Sequence, residues 1–183
     1  MTFYEKKIDG EIKYTGKIVT VRRDTVELQN GRQSTREVVE HPGGVAIVAM
    51  DQESYVYMVR QYRYPMEREL LELPAGKLEV GEDPAECAIR ELSEETGFRA
   101  EKMVYLGKLY PSPGYCQETL YLYLALGLVG GASHPDPDEF LSVERYPFDK
   151  LCDMVSEGRI CDAKTSLGLL LTERLLKNPV TGE

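Results

Sequence analysis

The chain has 183 residues, 42% of them hydrophobic, enough for one domain with a true core and no need of disulfides or a structural metal. Its formal net charge is −9, from 22 basic and 31 acidic residues. Nucleic acid and anionic membrane surfaces both require a basic face, so neither is expected as a partner. A phosphate-bearing ligand would need its repulsion cancelled locally, by bound cations or a few arginines.

The chain opens MTFYEKKIDGEIKYTG, without a basic-then-apolar signal pattern, and no apolar stretch approaches a membrane span. Cys87, Cys116, Cys152 and Cys161 are scattered and form no C-x-x-C pair. That spacing, with only two histidines, disfavours a zinc cluster and suits a reducing compartment. A soluble cytoplasmic protein is expected.

Ile18–Leu28 and Arg36–Glu40 read as strands. Asn30-Gly31 between them is a hairpin signal, because both central turn residues take φ > 0. His41-Pro42-Gly43-Gly44 breaks the chain. The expected organisation is a small antiparallel β element over residues 1–42 and the main domain over 43–183. Gly44–Ala49 is a continuous apolar run, the mark of a buried central strand. Tyr55–Arg60 and Glu69–Leu73 follow as strands. Asp83-Pro84 starts a helix, by capping and by proline at the first helical position, and Gly97 ends it. Val104–Leu109 and Glu118–Leu126 read as strands, and an apolar strand is expected from Phe140 on. Phe148–Ser156 and Ala163–Leu176 read as helices, the last with Leu169, Leu170 and Leu175 on or near one apolar face. Strands, helix, strands and helices in that order predict an α+β fold with a mixed sheet.

The segment Gly76–Phe98 carries the chemistry. On the predicted helix Glu91 and Glu95 share a face, with Glu94 at its edge. Three carboxylates so close repel one another. Arg90, a turn from both Glu86 and Glu94, offers salt bridges that would offset this. A divalent cation offers the same, and oxygen-only ligands point to Mg²⁺ or Mn²⁺. Ala85, Ala88, Ile89 and Leu92 are expected to pack on the sheet from the opposite face. A solvated acidic face is the bland alternative.

The same segment resembles the Nudix box, G-x5-E-x7-R-E-U-x-E-E-x-G-U, with U apolar. Gly76, Glu82, Arg90, Glu91, Leu92, Glu94, Glu95, Gly97 and Phe98 fill every specified position. A chance match is on the order of one in a million, which leaves the solvated-face reading little room. Three further features resemble the bacterial ADP-ribose pyrophosphatase branch. Pro113 lies 16 residues beyond Gly97. Glu72–Glu79 (ELPAGKLE) is similar to that branch's approach to the box. The N-terminal element, Gln61-Tyr62-Arg63 and Asp162-Ala163-Lys164-Thr165 are similar too.

The resemblance implies an α/β/α sandwich around a mixed sheet, and Mg²⁺-dependent hydrolysis of ADP-ribose to AMP and ribose 5-phosphate. It implies metal ligands at Glu91, Glu95, the Ala75 carbonyl and Glu139, with Glu139 and Glu94 as the catalytic carboxylates. Some relatives carry a second acidic residue two positions before Glu139, where this chain has Pro137, so Asp138 or a box glutamate is the alternative base. Arg36, Arg63, Ser112, Gly114 and Glu118 are implied in substrate binding, and Gly76, Glu82, Arg90 and Gly97 in the structure of the motif. A homodimer is implied, with the N-terminal element contributing to dimerisation and to the adenosine side. Another nucleotide sugar or a dinucleotide would use the same box. A nucleotide-sensing module is the alternative outside enzymes, disfavoured because Glu91, Glu94 and Glu95 are all retained and no basic appendage is present.

Overall fold

The computed structural model describes residues 3–130 and 140–178. The chain divides into two compact units, Met1–Gly43 with Tyr110–Thr119, and Gly44–Leu109 with Leu120–Glu183.

The first unit is an antiparallel sheet in the order β1 (Lys6–Thr15), β2 (Thr20–Glu27), β3 (Gln33–Glu40). A turn joins β2 to β3 at Asn30-Gly31, but it is not the expected two-residue one: of the pair only Gly31 has positive φ, 78°. The loop closes from Leu28 to Arg32, with Gly31 N donating to Leu28 O at 2.9 Å, Leu28 N to Arg32 O at 2.8 Å, and Arg32 N to the Asn30 side chain at 3.1 Å. β1 is a strand that apolar alternation does not reveal, because it is exposed along its whole length. Buried Asp24 is paired with Lys7, at 2.9 Å, and with Arg22. The segment 110–119 is held on β3 by Val39 N to Tyr115 O, 2.7 Å, and Gln117 N to Val39 O, 3.0 Å.

The second unit is a three-layer sandwich. Its strands are β4 (Gly44–Met50), β5 (Tyr55–Arg63), β6 (Arg68–Glu72), β7 (Ala75–Lys77), β8 (Arg99–Leu109), β9 (Leu120–Val129) and β10 (Leu141–Pro147). They form one mixed sheet ordered β10-β5-β4-β9-β8, with β6 on β5 and β7 on β4. Only the β4–β9 pairing is parallel among these described strands. β4 shows why a continuous apolar run marks a central strand. Val45, Ile47 and Ala49 point to α1 (Pro84–Thr96), with Ala88 and Leu92. Ala46, Val48 and Met50 point to the other face, with Leu151 of α2 (Phe148–Ser156) and Leu169 of α3 (Ala163–Lys177).

The helix signals act as read. Asp83 accepts from Ala85 N at 2.8 Å, Pro84 opens α1, and Gly97 closes it at φ 73°. Asp162 caps α3 by accepting from Thr165 N at 3.0 Å. Two apolar assignments are corrected. Ile89 is 51% exposed and Leu170 is 42% exposed, so neither belongs to the core. On α1 the position facing the sheet is Cys87, fully buried, and Ile89 is turned away from it. On α3 the face toward β4 is Thr165, Gly168, Leu169 and Thr172, which places Leu170 outside. Small residues fit there because the helix lies close: a Cβ on Gly168 would meet Leu73 Cδ1 at 2.7 Å. Among the described residues no helix is long and apolar enough to cross a membrane.

Leu169→Ala should therefore destabilise the protein by about 2–5 kcal/mol, and Leu170→Ala by less than about 1 kcal/mol. Urea unfolding of the two variants checks this. Equal losses would put Leu170 back in the core.

Candidate active site

The bend from β6 to β7 and the buried face of α1 meet. Glu95 is 2% exposed and Glu91 9% exposed, so these carboxylates are not a solvated face. Burying them is costly unless they are hydrogen-bonded and paired. Backbone does part of this: Ala75 N donates to Glu95 Oε2 at 2.9 Å. The rest needs space beside Gly76. A Cβ on that residue would lie 1.8–2.2 Å from the Glu91 carboxyl atoms, so only glycine lets that carboxylate approach the strand.

Arg90 organises the acidic residues. It forks onto Glu82, with Nε to Oε1 and Nη2 to Oε2 both at 2.9 Å. Its Nη1 donates to Glu91 Oε1 at 2.8 Å and to Glu94 Oε2 at 2.9 Å, and Nη2 reaches Lys77 O at 3.3 Å. The guanidinium thus ties the loop after β7 to the helix. Glu86, the other candidate partner one turn away, is not engaged; Glu82 from the loop takes its place. Hydrogen bonds from Arg90 and then from the Glu79 backbone hold the Glu82 carboxyl down, at about 2. Cys87 lies beneath, its thiol pushed up to about 12 by burial and then by its hydrogen bond with Glu82. It is a packing residue and not a nucleophile.

Arg63, at the end of β5, is clasped by Glu72, with Nε to Oε1 at 2.8 Å and Nη2 to Oε2 at 2.7 Å. The structure therefore gathers Ala75, Gly76, Glu82, Arg90, Glu91, Glu94, Glu95 and Gly97 in one unit, with Arg63 close enough for the Glu95 charge to act on it. Arg36, Ser112, Gly114 and Glu118 belong to the other unit. There Arg36 forks onto Glu5 and also donates to Ser34 Oγ at 3.0 Å and Thr35 O at 2.8 Å. Ser112 O closes the turn by accepting from Cys116 N at 2.9 Å. Glu118 Oε1 lies 3.5 Å from His41 Nδ1. Glu139 and Asp138 lie outside the described residues.

Among the described residues no three His, Cys, Asp or Glu side chains gather as a metal cage. The donors available to a hard cation are the Glu91 and Glu95 carboxylates and the backbone oxygens of the bend. This all-oxygen set, which Glu91 can join only because Gly76 has no side chain, suits a hard divalent cation better than zinc. Two charged residues of this unit, Glu72 and Lys164, lie in segments the sequence marks only by resemblance, which gave them no role of their own. The available signal was a glutamate inside the apolar run Leu70-Leu71-Glu72-Leu73.

Residues 40–167 match the NUDIX domain model, and residues 5–39 match the nucleoside diphosphate sugar hydrolase N-terminal domain. The chain is 40% identical to the ADP-ribose pyrophosphatase of Bacillus subtilis, over 90% of each chain. It is 43% identical to the ADP-ribose pyrophosphatase of Mycobacterium tuberculosis, over 89% of this chain and 80% of the relative. It is 44% identical to the methanol dehydrogenase activator of Bacillus methanolicus, over 91% of each. A crystal structure of an ADP compounds hydrolase superposes with a TM-score of 0.86 over the full length of both chains at 24% identity, which establishes the shared fold. With its box complete and its glutamates buried against the β6–β7 bend, the chain belongs to the Nudix family.

Proposed function

We propose that this protein hydrolyses the pyrophosphate bond of ADP-ribose to AMP and ribose 5-phosphate. One observation carries the substrate: the likeness to two ADP-ribose pyrophosphatases runs through the N-terminal element as well as the box. The box alone is common to Nudix hydrolases of many substrates.

Nudix hydrolases need a divalent cation, and Mg²⁺ is the one proposed here, with Mn²⁺ as a substitute. Glu91, Glu95 and the Ala75 carbonyl would hold it. When bound, it supplies neutralisation of the diphosphate oxygens and a lowered pKa for water. The residues of the chain do the rest. Ala75 N–H fixes Glu95, Arg90 fixes Glu91 and Glu94, and Gly76 leaves the room in which they meet. Water attacks one phosphorus in line, with Glu139 proposed to take its proton and Glu94 as the nearby alternative. Arg63 is assigned to the diphosphate and terminal ribose, Ser112, Gly114 and Glu118 to the same end of the substrate, and Arg36 to the adenosine half. The N-terminal β element is assigned to a homodimer and to the adenosine side. Its exposed Ile8, Ile12 and Tyr14 on β1 support that role. A cytoplasmic location suits the four free cysteines.

The test is product analysis with ADP-ribose and Mg²⁺ beside an EDTA control and a panel that includes GDP-mannose and NAD. AMP and ribose 5-phosphate, formed fastest from ADP-ribose and abolished by EDTA, are expected. Faster turnover of another panel member would discard the substrate and keep the reaction class.

Glu91→Gln and Glu95→Gln should each lower kcat on the order of 100-fold or more, with the fold retained by circular dichroism. Survival of turnover in either would remove that residue from the metal site. Gly76→Ala should raise the Mg²⁺ concentration needed for half-maximal rate, because its methyl displaces Glu91. An unchanged Mg²⁺ titration would separate Glu91 from the cation.

A further inference from the structure

The end of β6 holds a charged cluster of which the chemistry above uses only Arg63. Glu72 is 1% exposed, and a carboxylate so placed survives only when paired and hydrogen-bonded. It is paired twice. Arg63 forks onto both of its oxygens. Lys164, in the first turn of α3, donates Nζ to Glu72 Oε2 at 2.5 Å and to Asp162 Oδ2 at 3.0 Å. Burial pushes the Glu72 carboxyl up, but the hydrogen bonds from Arg63 with the charge and hydrogen bond of Lys164 outweigh it and bring the carboxyl down to about 2.

The charges alternate: Arg63, Glu72, Lys164 and Asp162 are linked in turn, two cations with two carboxylates. Asp162 is itself fixed at the α3 N-terminus, where it caps Thr165 N and accepts from the Thr165 hydroxyl at 2.5 Å. Arg63 keeps 39% of its side chain exposed, and Nη1 has no hydrogen-bond partner among the described residues. The Glu72, Asp162 and Glu95 charges all act on it. The same helix turn also steadies the bend, since Leu73 N donates to buried Thr165 Oγ1 at 3.0 Å, two residues before Ala75.

We propose that Glu72 and Lys164 are positioning residues: Glu72 clamps one edge of the Arg63 guanidinium, and Lys164, anchored on Asp162, holds that carboxylate in place so that the free edge of Arg63 is fixed to bind the substrate diphosphate. The inference deepens the proposed function and rests on it for the identity of the anion.

The experiment is a double-mutant cycle on KM, using Lys164→Met and Glu72→Gln in the wild-type and Arg63→Ala backgrounds. Lys164→Met in the wild-type background should raise KM roughly 10-fold or more with a smaller change in kcat. In the Arg63→Ala background it should add little, and Lys164→Arg should restore KM because the charge returns. Glu72→Gln should follow the same pattern. If that variant unfolds, Lys164→Met alone carries the cycle, since methionine keeps the apolar stem. Equal KM effects in both backgrounds, or a loss of kcat with KM unchanged, would overturn the proposal. The cycle is run on whichever diphosphate sugar the wild type turns over best. Failure of ADP-ribose as substrate is thereby read separately from failure of the positioning role.

Discussion

Two glutamates of one helix, buried against the backbone of a strand bend, are the constraint on which the second unit depends. Glu91 and Glu95 occupy the inner side of α1 beside Ala88 and Leu92, where a helix would ordinarily present apolar groups. The arrangement survives because the groups around them are polar at the right points. Ala75 offers an N–H, Arg90 offers a guanidinium, and Gly76 offers the absence of a side chain. Remove any of these and the helix either moves off the bend or carries an uncompensated charge.

The chain is strongly acidic, yet its site lies among cations placed one at a time. Arg90 and Arg63 each use one edge of a planar guanidinium to grip a carboxylate, which a lysine could not do with the same geometry. Arg90 spends its remaining donors on Glu91, Glu94 and Lys77 O, so its role is to hold the loop on the helix. Arg63 keeps a free edge. The difference lies in the bonded partners: Arg90 is paired with three acids, whereas Arg63 is paired with one, which Lys164 shares. A global charge of −9 is therefore no guide to the local field.

Much of this was legible from the chain alone. The apolar run of β4, the Asn30-Gly31 turn, and the Asp83-Pro84 and Gly97 ends of α1 each reflect local physics, and local physics leaves a local trace. β1 left none, because a strand exposed on both sides has no apolar alternation to show. Ile89 and Leu170 misled because an apolar residue marks a helix face only once the neighbouring element is known. Glu86 misled similarly: helical spacing made it a partner for Arg90, but Glu82, off the helix, had the better geometry.

The sequence by itself determined the Nudix family and the α/β/α plan, because motif spacing and hydrophobic period are properties of order along the chain. It also determined which carboxylates gather on α1, since helical periodicity sets their common face. Only the tertiary structure decided that this face is buried, that Gly76 makes room for Glu91, and that Glu72 and Lys164 converge on Arg63. Lys164 and Glu72 stand 92 residues apart. No local propensity registers such a pairing, and it exists only once α3 has docked against the end of β6.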